Sequence, residues 1–358
     1  MTTWRLPPLA EEDVRHAASL VEAPLWASLR GQRIFLTGGT GFVGKWLLAT
    51  LIEADRALDL DCEVVVLSRD PFTFELQVPE LATARGVRLV AGDVRNFTFL
   101  EGRFDRIIHA ATDVVAHSTP LQTFDTCVAG TRHVLEFAAK AGTRDFLLIS
   151  SGAIYGRQPP ELVGLSEDHF GAPDVGVPST AYGQGKRVAE WLANAFAAEH
   201  VLRVITARLF AFVGPYLALD KQFAIGNFLR DALAGEPVVV QGDGTPCRSY
   251  LYAADMAGWL WNILFRGTAG AAYNVGDGQA LSIVALARRI AAVTGSAGGV
   301  SVRGTPTIGK LPERYVPNVS RAHGELGLHR IITLDDSLRR TAQWHRSAAI
   351  RVGLPTPP

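Results

Sequence analysis

Between Gln32 and Ala207 short apolar runs alternate with longer stretches in which apolar residues recur at helical spacing. The runs predict strands over residues 33–37, 63–67, 87–91, 106–109, 145–150 and 203–207, and the periodic stretches predict helices near 43–54, 121–141 and 181–199. Such alternation implies a parallel sheet wrapped on both faces, because each parallel crossover needs a helix to cover the sheet. The predicted fold is α/β, a doubly wound parallel sheet. Past Arg208 the pieces become shorter and less regular (223–234, 238–240, 253–264, 273–275 and 281–294), which predicts a smaller C-terminal substrate-binding lobe with some return to the sheet. The division expected is therefore a helical extension over 1–30, a dinucleotide-binding domain over 31–208, and the lobe over 209–358. Within the extension, 11–20 and 24–29 read as two helices covering an edge of the domain or a neighbouring subunit. The Pro- and Gly-rich insert 157–180 is too irregular for an element and reads as a wall over a site.

Two segments carry candidate chemistry. Thr37-Gly38-Gly39-Thr40-Gly41-Phe42-Val43-Gly44 follows the apolar run Ile34-Phe35-Leu36 and leads into Trp46-Leu47-Leu48-Ala49-Thr50-Leu51-Ile52. Strand, glycine turn and helix in that order form a dinucleotide (Rossmann) motif. Gly38, Gly41 and Gly44 let the turn tighten, the backbone approach a pyrophosphate, and the helix pack on its strand. The helix N-terminus adds free amides and a positive dipole end. Tyr182-Gly183-Gln184-Gly185-Lys186 places a phenol and an ammonium four residues apart, on one helix face. A nearby cation is expected to lower the phenol's pKa toward the range an acid/base needs. A glycine turn alone is often plain structure, and a Tyr/Lys helical pair alone is often surface. In this order the two point to hydride transfer.

Composition narrows the class. Of 358 residues, 48% are apolar and 20% charged, which excludes disorder, and Lys+Arg equals Asp+Glu at 35 each, which removes any basic excess for nucleic acid or anionic membrane. No apolar run reaches the length of a membrane span, and the N-terminus lacks the layout of a signal peptide. Cys62, Cys127 and Cys247 are odd in number and lack metal-ligand spacing. They read as reduced thiols of a cytoplasmic protein, and no metal is implied.

Further motifs are collinear with these: Ala91-Gly92-Asp93-Val94, Ile107-Ile108-His109-Ala110-Ala111, Ser150-Ser151-Gly152-Ala153-Ile154-Tyr155-Gly156, Arg208-Leu209-Phe210, Gly214-Pro215, and Gly242-Asp243-Gly244-Thr245 with Arg248. From about Arg33 to Leu328 the chain resembles the extended short-chain dehydrogenase/reductases of the sugar-nucleotide epimerase/dehydratase family. That resemblance implies Tyr182 as acid/base at a sugar hydroxyl, Lys186 on the nicotinamide ribose, and Ser151 hydrogen-bonded to the same sugar oxygen. It implies a cofactor site of Gly38, Thr40, Gly41, Phe42, Val43, Gly44, Ser68, Arg69, Asp93, Val94, Ala110 and Ala111, with Asp93 accepting from the adenine amino group. On the substrate side it implies Arg248 on a diphosphate, Arg314 in the same role, and Asn227 near the nucleotide base. His109 and His117 read as structural.

Where NAD enzymes of this type place an acidic residue after the second strand, this chain has Ser68-Arg69-Asp70. A carboxylate would repel a 2′-phosphate, whereas serine and arginine would bind one, so NADP is favoured over NAD. In the competing reading Arg69 is a solvated charge and Asp70 takes the ribose. Three departures from the family bear on mechanism. Gly152-Ala153 stands where dehydratases carry Asp-Glu, so loss of water lacks its acid and base. Cys127 replaces an asparagine, as a core thiol or a weak donor, and Ala211 replaces another asparagine that contacts substrate.

The expected function is NAD(P)-dependent epimerisation of a nucleotide-activated sugar with hydride transfer at C4. The alternatives are an NADPH-dependent 4-ketoreductase, a sugar-uronate decarboxylase and, more remotely, a non-catalytic nucleotide-binding or assembly protein. Surplus apolar residues on the two long helices (Val128, Val134, Leu135, Phe137 and Ala138; Val188, Trp191, Leu192, Ala195 and Phe196) predict a homodimer through a four-helix interface, as in the resembling family.

Overall fold

The computed structural model of the chain describes residues 5–112 and 118–351, so His117 lies outside the described residues. The six predicted strands form as β1 (Arg33–Thr37), β2 (Glu63–Ser68), β3 (Val87–Ala91), β4 (Arg106–His109), β5 (Asp145–Ser151) and β6 (Arg203–Leu209). Short strands follow: β7 (Phe212–Val213), β8 (Val238–Val240), β9 (Cys247–Arg248), β10 (Leu251–Tyr252), β11 (Ala272–Val275), β12 (Leu281–Ser282), β13 (Val300–Val302) and β14 (Arg314–Tyr315). The main sheet has seven strands in the order β11-β6-β5-β4-β1-β2-β3, all parallel. The doubly wound sheet read from the sequence is thus present, and β11 is the return to it from beyond Arg208. The chain reverses direction across the sheet between β1 and β4, and ligands of open α/β sheets bind beyond the strand ends at such a point.

Alternation along each strand divides the core. Ile34 and Leu36 of β1 and Leu147 and Ile149 of β5 face a core shared with Trp46, Leu51 and Trp261. Phe35, Phe146 and Leu148 face the opposite one with Phe104, Phe137 and Leu192. Because both faces are covered, the central strands read as unbroken apolar runs rather than alternating ones.

The N-terminal extension forms α1 (Glu11–Ser19) and α2 (Ala23–Ala27), the two helices expected. They cover an edge of this same chain, against α3 (Phe42–Leu58) and, further along the order α4 (Pro71–Gln77), α5 (Pro79–Ala82), α6 (Pro120–Lys140), α7 (Ala181–Glu199), α8 (Ala224–Leu233), against α9 (Ala253–Arg266). Polar pairs fix this edge. His16 Nε2 is 2.6 Å from Asp255 Oδ1, the Tyr252 hydroxyl donates to Asp13 Oδ2 at 2.6 Å, and Asp255 Oδ2 accepts from the amides of Ile331 and Ile332 at 2.9 and 3.0 Å. The last helices are α10 (Ile283–Thr294), α11 (Ser320–Leu326) and α12 (Leu334–Arg351). Arg340 of α12 pairs with Asp13, and the Trp344 indole donates to the carbonyl of Pro7 at 3.1 Å.

Helices α6 and α7 pack side by side on the sheet. Here the apolar surplus is largely used inside the chain: of the ten residues expected at an interface, Trp191 alone is exposed, at 67%. The insert 157–180 has no strand or α-helix, and it is held to the small lobe by Leu165, whose amide donates to Val316 O at 2.9 Å. Among the described residues, no helix is long and apolar enough to cross a membrane, and no group of three or more His, Cys, Asp or Glu could hold a metal ion.

Candidate active site

The glycine turn is built as its sequence requires. Gly38 lies in the left-handed region at φ +72°, and a Cβ there would come within 2.6 Å of the Ala110 carbonyl carbon. A Cβ on Gly44 would be 2.2 Å from the Gly38 carbonyl oxygen, so α3 can approach β1 only without one. Gly41 is the N-cap of α3 and no side chain caps that helix end. Its first-turn amides therefore have no side-chain acceptor, with Thr40, Phe42 and Val43 around them. The Ala110 amide donates to Thr37 O and that of Ala111 to Thr37 Oγ1, both at 3.1 Å, which locks β4's exit beside the turn. These residues fit a dinucleotide: a bare backbone cradle at a helix N-terminus, where a Cβ would fill the space.

At the β2 end Ser68 is buried and its Oγ accepts from the Asp70 amide at 3.2 Å. Asp70 itself caps α4, accepting from Thr73 N at 3.0 Å. Its carboxylate is thereby occupied, while Arg69 is exposed and lies close enough to Asp93 to act on it electrostatically. Asp93 accepts twice from the Arg95 guanidinium at 2.8 Å, and this pairing lowers its pKa to about 2. The carboxylate expected at adenine is thus already engaged by Arg95. Val94 is buried and packs against Gly130 of α6.

The β5 end and the first turns of α7 converge. Ser151 Oγ accepts from Ala153 N at 3.1 Å and lies near enough to the Tyr182 phenol to act on its titration. Lys186 is buried; its ammonium donates to Ile149 O at 2.8 Å and sits 6.0 Å from the Tyr182 ring centre. The structure corrects one expectation here. Burial raises the Tyr182 pKa well above its ordinary value, Ser151 opposes this, Tyr315 and Cys127 add to the rise, and no lowering by Lys186 is present. With its ammonium on a backbone carbonyl and itself desolvated, so that its own pKa is lowered, Lys186 does not offset the cost of charging a buried phenol. Cys127 is buried where α6 meets α7, and a Cβ on Gly185 would lie 2.7 Å from its Cβ, so packing is its role.

Sequence reasoning missed the network beneath the site. Glu190, one turn beyond Lys186, accepts from the Ser150 hydroxyl and from Arg208 Nη2 at 2.8 Å. Arg208 Nη1 donates to the Tyr155 hydroxyl at 2.8 Å, which donates to Asn274 Oδ1 at 2.8 Å. Asn274 Nδ2 in turn donates to Leu165 O and Asn318 O. The four-residue spacing Tyr182, Lys186, Glu190 was the signal that could have found it.

On the small lobe a cleft of about 670 Å³ is lined by residues including Asn227, Phe228, Val240, Gly242, Gly244 and Ile283. Asn227 Oδ1 accepts from Arg230 at 3.1 Å. Arg248 on β9 lies in register with Tyr315 on β14, and Arg314 is in register with Cys247. Side chains alternate along a strand, so Arg314 is on the opposite face from Arg248, and the two arginines do not converge as the sequence suggested. Ala211 is half-buried, its carbonyl accepting from Leu251 N at 3.1 Å.

A family model for the NAD dependent epimerase/dehydratase family matches residues 34–276. UDP-glucuronic acid decarboxylase 1 of Xenopus tropicalis is 30% identical over 88% of this chain and 72% of its own length. Among solved structures, MoeE5 in complex with UDP-glucuronic acid and NAD is 26% identical with a TM-score of 0.71, covering 88% of this chain and 99% of that one. UDP-glucose 4-epimerase of Thermotoga maritima, 22% identical with a TM-score of 0.74 over 88% of this chain and 99% of its own, shares the fold.

His109 gives a pH test of this arrangement. It bridges Thr37 at 2.8 Å and Thr131 at 3.0 Å, and burial, helped by Lys186, lowers its pKa to about 3. The unfolded chain takes up a proton below about 6.5 that the folded chain refuses, so stability falls as pH drops from there toward 3, by up to about 1.4 kcal/mol per unit. Urea unfolding of wild type and His109→Gln at pH 7, 6 and 5 should show their stability gap narrowing as pH falls. A gap independent of pH would disprove a buried neutral His109.

Proposed function

The chain belongs to the NAD dependent epimerase/dehydratase family, and on that premise we propose that it transfers hydride between a nicotinamide cofactor and C4 of a nucleotide-activated sugar. The observation that carries this reading is Ser151 and Tyr182 meeting at the end of β5, with Lys186 one turn on, beside the glycine cradle. When bound, the oxidised nicotinamide supplies the hydride acceptor and a positive charge that favours a phenolate. Tyr182 takes the proton of the C4 hydroxyl and later returns it, while Ser151 donates to the same oxygen. Lys186 exchanges the Ile149 carbonyl for ribose hydroxyls. The cleft around Asn227 is of a size for a nucleoside, and Arg248 presents a guanidinium fork to a diphosphate.

Epimerisation at C4 needs no more groups than these. The curated relatives favour a second reading, decarboxylation of a sugar uronate. A ketone at C4 is β to the C6 carboxylate, so CO₂ leaves without a base at C5. That agrees with Gly152-Ala153, which removes the groups for elimination of water. Incubation with UDP-glucose and UDP-glucuronic acid and either cofactor, followed by NMR, separates a 4-epimer from a pentose product. In either case Tyr182→Phe should retain cofactor binding and lose about a hundredfold or more in turnover. Near wild-type turnover would remove the assignment.

NADP is the favoured cofactor, supported by Ser68 and Arg69 at the β2 end and by Asp70 being spent as a helix cap. Arg69→Ala should weaken NADP by about 1–3 kcal/mol and leave NAD nearly unchanged in calorimetric titration. Tighter NAD than NADP in the wild type would refute the preference.

A two-fold dimer through α6 and α7 completes the reading, supported by Trp191 and Leu121 standing 67% and 77% exposed on these helices. Light scattering at micromolar concentration should give twice the chain mass. A value near 38.6 kDa would show a monomer.

A further inference from the structure

Gly152 follows Ser151 at the end of β5, and two aromatic residues cover the place its missing side chain leaves. A Cβ there would come within 2.7 Å of both the Tyr315 hydroxyl and Phe210 Cζ. Phe210 stands just past β6 of the main sheet and Tyr315 on β14 of the small lobe, their ring centres 4.7 Å apart. The tip of the phenol is therefore fixed over the residue next to Ser151 by packing alone. Tyr315, Phe210 and Arg248 are all half-buried, as the walls of an open cleft are.

The reading above assigns Ser151 to the C4 oxygen and Arg248 to the diphosphate at C1. Arg248 is in register with Tyr315 and shares its sheet face, the guanidinium 6.0 Å from the centre of the phenol ring. A pyranose reaching from Arg248 to Ser151 thus runs alongside Tyr315. Loss of water beside a C4 ketone takes a proton from C5 and a hydroxyl from C6, and the groups for it would stand at positions 152 and 153. The bare place at Gly152, with the phenol tip over it, therefore faces C5 and the substituent that C5 carries.

The chemistry of this wall selects among such substituents. A phenol at neutral pH donates a hydrogen bond, Arg248 adds positive charge, and Gly152 and Ala153 bring no opposing carboxylate. Glu313, two residues before Tyr315, is engaged by Arg157 at 3.0 Å. A donor beside a guanidinium, with no acid facing them, suits an anion better than a hydroxymethyl group.

We propose that Tyr315 is the specificity-determining residue for C6 of the sugar, its hydroxyl donating to the carboxylate of a sugar uronate. This rests on the nucleotide-sugar reading above and names the substrate class within it. Ser151 keeps its one hydrogen for the C4 oxygen, because Tyr315 donates to the substrate itself.

The test is calorimetric titration with UDP-glucuronic acid, UDP-glucose and UDP-xylose, whose sugar ends at C5. A Tyr182→Phe background keeps the titrant from being consumed. With Tyr315 in place the uronate should bind about tenfold more tightly than UDP-glucose. Tyr315→Phe keeps the ring on Phe210 and removes the hydroxyl; it should weaken the uronate about tenfold or more and UDP-xylose less than about threefold. Gly152→Ala, whose methyl claims the place of the hydroxyl, should weaken the uronate in the same way and serves if Tyr315→Phe does not fold. Equal weakening of all three sugars, an unweakened uronate, or UDP-glucose bound more tightly than the uronate while Tyr315 is present overturns the proposal. Binding needs no hydride transfer, so failure of that reading shows separately, as an unchanged sugar in the NMR assay. If none of the three binds, the nucleotide-sugar reading fails and this proposal with it.

Discussion

The site depends on one buried ion pair, Glu190 with Arg208. Glu190 receives the Ser150 hydroxyl next to Ser151, and it lies on the same face of α7 as Tyr182 and Lys186. Arg208 passes the connection through Tyr155 to Asn274, and from there to the insert at Leu165 and the small lobe at Asn318. Such a pair adds little net stability, because desolvating two charges offsets their attraction, but losing one partner costs about 3–5 kcal/mol. What it confers is placement. The strand end, the helix bearing Tyr182 and Lys186, and the second lobe share a single set of hydrogen bonds.

Local pattern explains what could be read from the chain. Each of the six main strands forms within two residues of its apolar run, and α7 spans the residues expected. Gly44 sits where only a missing Cβ lets α3 lie against the turn at Gly38. Such features depend on neighbours a few residues apart, which periodicity reports. What was not legible depends on partners far away in sequence. The face on which Arg314 lies follows from its register with Cys247. Tyr315 reaches the end of β5 because Gly152 is bare and Phe210 stacks beside it. The expected effect of Lys186 on Tyr182 failed for a third reason. Helical spacing puts the two on one face, but burial and the Ile149 carbonyl decide what the ammonium does.

The apolar surplus on α6 and α7 shows how a correct pattern can have two uses. Helix faces wide enough to suggest a second partner are here consumed by the sheet on one side and by each other, with Gly185 and Cys127 letting the two helices approach closely. Trp191 and Leu121 are the remainder. An amphipathic pattern therefore counts how much surface needs covering and leaves open who covers it.

The clasp between Asp13 and Arg340 has a consequence for how the chain is made. The carboxylate is buried on α1, and its guanidinium partner is 327 positions later, while Pro7 waits for the Trp344 indole. On a ribosome these first residues emerge long before the last helix exists. The strands of the main sheet can pair as they appear and α1 can dock on α3 and α9, but Asp13 has no guanidinium partner until α12 has left the exit tunnel. Completion of this edge thus waits for α12, and a nascent protein stopped before that helix would hold its sheet yet leave Asp13 and Pro7 without these partners.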